Sequence, residues 1–154
     1  MFAMMMRRMN SNLLYSAVVL VSLLAWGMQA AAQTPNTTTV MARLSGASIV
    51  PPNNSTATGN LQASLDKQTR VLTWTLSTQG LSGPAVGASL HGPAMPGENA
   101  PAAAPLQLGK GVEGGTVSLT ARQVDDLLAG RWYVNVLTAA APEGEIRGQL
   151  MVGR

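Results

Sequence analysis

Apolar and polar side chains alternate along most of the chain from residue 40 onward. Val40, Ala42 and Leu44 interleave with Met41 and Arg43, a period of two that predicts an opening strand with one buried face. Leu61, Ala63 and Leu65 repeat the pattern against Asn60, Gln62 and Ser64. After the polar break Asp66–Thr69, Val71 to Ser77 returns with Leu72, Trp74 and Leu76 in phase. Two such runs around a short polar turn predict a hairpin. Val86, Ala88 and Leu90 predict a strand ending at His91, and Val117 with Leu119 a short one. Trp132, Val134, Val136 and Thr138 alternate with Tyr133, Asn135 and Leu137 in the strongest strand. The final run, Glu145 to Val152, turns Ile146, Leu150 and Val152 inward.

The interruptions are equally regular. Ser45 to Gly59 carries Pro51-Pro52-Asn53-Asn54-Ser55, and Gly80-Leu81-Ser82-Gly83-Pro84 breaks the sheet again. Gly92 to Pro105 holds four of the nine prolines and is expected to be a long surface loop. One segment departs from the period of two. Thr120-Ala121-Arg122-Gln123 fits a capping box, Leu127-Leu128 gives an apolar side and Gly130 a stop, so a short helix is expected there. Asp125-Asp126 is placed early in that helix, where carboxylates favour the positive end of the dipole. Seven or so short strands with one small helix predict an all-β sandwich or Greek-key barrel over residues 40–154, without internal repeat.

The first third of the chain reads differently. Arg7 and Arg8 precede Leu13 to Gly27, which holds no charge, and Ala30-Ala31-Ala32 follows. A basic start, a short apolar run and an Ala-x-Ala end predict a secretory signal peptide over residues 1–32. The apolar run is shorter than the about 20 residues a spanning helix needs. Gln33 to Thr39 is polar and is expected to be a disordered lead-in.

Removing that leader takes away two arginines and no acid, so the formal charge falls from +3 to +1. No Lys/Arg cluster remains, and the footprint of nucleic-acid binding is missing. The chain has no Cys, so its stability after export must come from a core, and thiol catalysis, Fe–S clusters and thiolate zinc sites are excluded. No Gly-x-Ser-x-Gly nucleophile motif occurs, and no acidic loop has calcium spacing.

Glu145 and Arg147 stand two apart on the last strand, so both point to one face. With Tyr133 and Asn135 of the neighbouring strand they form the candidate binding patch. The competing role for the same four residues is a polar network that fixes strand register. Trp74 and Trp132, on apolar phases, are expected in the core.

Several segments, in order, resemble the chordin-domain (CHRD) family. They are Leu44-Ser45-Gly46 with Val50-Pro51-Pro52 and Ala57-Thr58-Gly59; then Leu81 and Gly83 with Ala88 to Ala94; then Leu128, Gly130, Tyr133-Val134-Asn135-Val136 and the closing Gly144-Glu145-Ile146-Arg147-Gly148-Gln149-Leu150. The resemblance spans about residues 40–152 and is most specific in its closing block. It implies an immunoglobulin-like Greek-key barrel, similar in shape to copper–zinc superoxide dismutase, and no established enzymatic activity. Many family members carry three histidines where this chain has Ser89, His91 and Leu137. His91 is the only His in the chain. The alternative reading is a dismutase-like or copper protein in which His91 joins Met95, with Met41 or Met151, around copper(I). The main expectation is an exported, non-enzymatic binding or structural module in the periplasm or outside the cell. It takes no cofactor, engages a protein or envelope component but no nucleic acid, and leaves the membrane once the signal is cleaved.

Overall fold

The structure, a computed structural model, describes residues 36–108 and 113–153; the expected signal peptide lies outside them. The period of two becomes strands β1 (Thr37–Ser45), β2 (Thr58–Asp66) and β3 (Val71–Gln79), which pair antiparallel in continuous register from Thr37↔Asp66 and Thr58↔Gln79. Their inward residues Val40, Leu44, Leu61, Leu65, Leu72 and Trp74 are buried, while the positions between them are exposed. The β2–β3 hairpin turns over Asp66, whose carboxylate accepts from the backbone N–H groups of Gln68 and Thr69. Those two bonds hold its pKa below the usual carboxylate value.

Six further strands follow: β4 (Ala85–His91), β5 (Ala102–Leu106), β6 (Glu113–Ser118), β7 (Tyr133–Thr138), β8 (Ala141–Gln149) and the two-residue β9 (Met151–Val152). The order across the sheet is β5-β4-β7-β8-β1-β2-β3-β6, with β9 beside β1. The chain therefore crosses from one half of the sheet to the other after β3, β5 and β6, which is Greek-key connectivity. The halves join where β1 meets β8 at a single pair, Ser45↔Arg147. The two outermost strands, β5 and β6, approach one another, so the antiparallel sheet nearly closes. Between the halves lies one core, to which Leu90, Trp132, Val134, Val136, Ile146 and Leu150 contribute from the β4–β7–β8 side.

Helix α1 (Ala121–Leu128) links β6 to β7. Its capping box forms: Gln123 N–H donates to the Thr120 hydroxyl, and the Gln123 side chain accepts from Thr120 N–H. Val124 and Leu127 bury its apolar side. The first turn holds no acid. Asp125 and Asp126 lie in the second half of the helix, and buried Asp126 forms an ion pair with Arg131 just beyond its end. Neither carboxylate therefore sits at the positive dipole end: Asp126 ties the helix to the following loop, and Asp125 is exposed.

Other expectations change as well. β1 begins at Thr37 and takes the last three residues of the segment read as a lead-in, because Thr37–Thr39 pair with Ser64–Asp66. Four residues of the expected surface loop Gly92–Pro105 belong to β5. Pro105 is tolerated there because β5 is an edge strand with no partner beyond it. β6 starts at Glu113, well before Val117, and Val152 is exposed rather than inward.

Candidate functional site

Antiparallel register sets the site. Across β4, β7 and β8, His91 pairs with Tyr133, which pairs with Gln149; Ser89 pairs with Asn135, which pairs with Arg147. Because alternate residues share a face, these six project from the side of the sheet opposite the core. That side is not left to water. Residues 92–101 fold back over it, and Gly46–Ala57 runs beside them, leaving Tyr133, Asn135 and Arg147 all buried.

The aromatic and cationic groups form a stack. The rings of His91 and Tyr133 lie parallel within 11°, with centroids 4.8 Å apart. The Arg147 guanidinium carbon sits 3.5 Å from the centroid of the Tyr133 ring, a cation–π contact sheltered from solvent. Each member also holds the 92–101 loop. The Tyr133 hydroxyl donates to the Ala100 carbonyl and accepts from Ala100 N–H, both at 3.1 Å. Arg147 donates to Asn99 Oδ1 at 3.0 Å and to the Glu98 carbonyl at 2.6 Å. Gln149 donates to the carbonyls of Ala94 and Gly130. Burial draws the Arg147 pKa below its ordinary value, and the neighbouring Tyr133 partly offsets this.

Glu145 does not join Arg147. Its Oε1 accepts from Ser82 N–H and the Ser55 hydroxyl at 2.9 Å each; its Oε2 accepts from the Ser82 and Thr138 hydroxyls at 2.6 Å each. Burial alone pushes a carboxyl upward, but the bonds from Ser82, Thr138 and Ser55 outweigh it and bring Glu145 down to about 2. The proposed quartet therefore separates: Tyr133 and Arg147 touch, while Glu145 ties three segments of chain together elsewhere. Asn135 faces Arg147 across the ladder, yet its amide donates to the Glu143 carbonyl. Asn135 Oδ1 is buried without a partner. It sits where a Cβ on Gly144 would be, and Gly144 adopts a φ of +133°.

The imidazole of His91 is fully engaged. Nδ1 lies 2.9 Å from the Ala100 carbonyl, which only accepts, so it carries the hydrogen; Nε2 then accepts from the Ser89 hydroxyl at 2.7 Å. No lone pair is left for a metal in this arrangement. Met95, Met41 and Met151 are exposed, and among the described residues no three His, Asp or Glu groups converge as a metal site.

Two cavities open beside the stack. One, of about 240 Å³, is lined by His91, Asn99, Tyr133, Asn135 and Glu143. The other, of about 390 Å³, is lined by Ala47, Pro52, Pro96 and Gln149. Ile49, Val50 and Arg147 border both. Sequence reasoning missed Ser55, Ser82, Glu98 and Asn99, since each lies more than 45 residues from the side chain it serves. The one sequence-level signal was their location in Gly/Pro-rich loops, where binding groups concentrate.

The sequence pattern of the CHRD domain matches residues 40–150. No curated protein and no solved structure matches the chain.

Proposed function

Since the chain belongs to the CHRD-domain family, we propose that it is an exported, non-enzymatic module that binds a protein or envelope component. The contact is made at the end where residues 46–57 and 92–101 border the His91–Tyr133–Arg147 stack. That arrangement is the observation that carries the reading. A buried cation held on a tyrosine, with two cavities at its side, is a recognition geometry, and rigid sheets commonly present such groups beneath loops. The groups that general acid–base chemistry would draw on are committed to the fold. Glu145 is held ionised by four donors, and both His91 nitrogens are occupied. A general acid needs a pKa moved toward the working pH, which is the opposite direction for Glu145. Among the described residues no helix is long and apolar enough to cross a membrane.

Export is tested by the intact mass of the protein recovered from the extracytoplasmic fraction. The expected species begins at Gln33, and a full-length mass confined to membranes would overturn export. The binding end is tested with Pro52→Glu/Pro96→Glu, which alters exposed loop residues and leaves the core alone. Capture of the envelope component should fall while the unfolding midpoint holds. Undiminished capture would place the contact elsewhere.

A further inference from the structure

We propose that the cleft at Arg147 takes an organic monocarboxylate, with the carboxylate on the guanidinium and an apolar body in the adjoining cavity. The inference rests on the binding reading for its biological setting. Its chemistry follows from the charge. Arg147 is only 3% exposed, and both of its hydrogen-bond acceptors, Asn99 Oδ1 and the Glu98 carbonyl, are neutral. The Arg131–Asp126 ion pair does not involve this cation. A cation taken out of water without a counter-charge is costly, and the ring of Tyr133 returns part of that cost only. Of the five guanidinium N–H groups the two bonds use two. A counter-ion arriving in the cleft would meet a charge already desolvated and already oriented.

Shape and surrounding charge narrow the class. A carboxylate is planar and suits the guanidinium fork. Exposed Glu143 stands on the rim of the same cleft, and its negative charge disfavours dianions such as phosphate or a dicarboxylate. The 390 Å³ cavity reached from Arg147 is walled by Ala47, Ile49, Val50, Pro52 and Pro96, within the roughly 300–1,000 Å³ range of small-molecule sites. These apolar walls fit a short hydrocarbon, and Ser48 and Gln149, which also line the cavity, offer hydrogen bonds but no positive charge for a second carboxylate. Two sources supply this chemistry: a free short-chain acid, or the C-terminus of a peptide ending in an apolar residue.

Isothermal titration of the purified protein with hexanoate, hexanol and N-acetyl-alanyl-leucine tests the inference. Saturable binding of hexanoate or of the peptide is expected, at least tenfold tighter than hexanol, and the tighter of the two acids names the source. Arg147→Gln should abolish that preference. Should that variant not fold, Ala47→Trp serves instead: residue 47 is exposed, and the indole fills the apolar cavity. It should weaken hexanoate at least tenfold while the unfolding midpoint stays. Equal affinity for hexanol and hexanoate, no binding of either acid, or indifference to Ala47→Trp would each overturn the inference. Loss of envelope capture in the proline variants together with no acid binding would discard the carboxylate and leave the module reading standing.

Discussion

Glu145 offers the sharpest test of how the polar interior works. Alanine at 145 removes the acceptor for Ser82 N–H, for the Ser55 hydroxyl and for the Ser82 and Thr138 hydroxyls. The hydroxyls of Ser82 and Thr138 lie 3.2 Å apart and can turn toward one another. Ser82 N–H has no such freedom and would be left without its acceptor. Bonds to a charged acceptor contribute about 1.5–3 kcal/mol each; Ser82 is exposed, so water can replace part of its share, and the contributions do not simply add. A loss of about 3–5 kcal/mol is expected for Glu145→Ala. Glu145→Gln is a different case. Its amide oxygen can stay at the Oε1 position for Ser82 N–H, and its NH₂ can donate to hydroxyls rotated into acceptors. Only the charge assistance is lost, so about 1–2 kcal/mol is expected. Urea unfolding of both variants beside the parent protein measures the difference. A glutamine variant as damaged as the alanine one, or an alanine variant within 1 kcal/mol of the parent, would refute the account.

The same carboxylate sets an acid limit. Its pKa falls from 4.5 in the unfolded chain to about 2 in the folded one, so its contribution is complete above pH 4.5 and is lost as pH falls toward 2; stability measured across this window should decline, with a shallower slope in Glu145→Gln. Trp132→Ala should cost about 3–5 kcal/mol by denaturant unfolding, because the ring is 1% exposed within the core, and a cost under 1 kcal/mol would contradict that burial. Gly144→Ala should cost about 2 kcal/mol or more, since its φ of +133° and the Asn135 carboxamide both oppose a Cβ; an unchanged urea midpoint would count against it.

The hairpin of β2 and β3 was legible because one face is core and the other solvent, so composition and phase agree. β7 and β8 obey the same inward phase, with Val134, Val136 and Ile146 at 0% exposure, yet their other face is covered too. Alternation reports which residues differ, not whether the polar ones reach water, and so for Asn135, Glu145 and Arg147 it leaves open both a binding patch and a polar network that fixes register. What buries them is loop chain more than 30 residues away in sequence, at Glu98–Ala100 and Ser55, a contact no local pattern encodes. β5 was hidden for another reason. Ala102-Ala103-Ala104-Pro105-Leu106 has neither β-branched residues nor a clean period, and only its place at the edge makes Pro105 compatible with a strand.

That edge also bears on how the protein behaves in a crowded solution. A sheet whose ends were free would offer rows of open amide and carbonyl groups to any neighbouring copy, the template from which strand-by-strand association grows. Here one terminal strand is five residues long and interrupted by a residue with no amide hydrogen, the other contains consecutive Gly114 and Gly115, and the two approach each other. With no cysteine to lock the chain, resistance to self-assembly is vested in these two unremarkable strands, and a β-branched replacement at Pro105 is where it would first be lost.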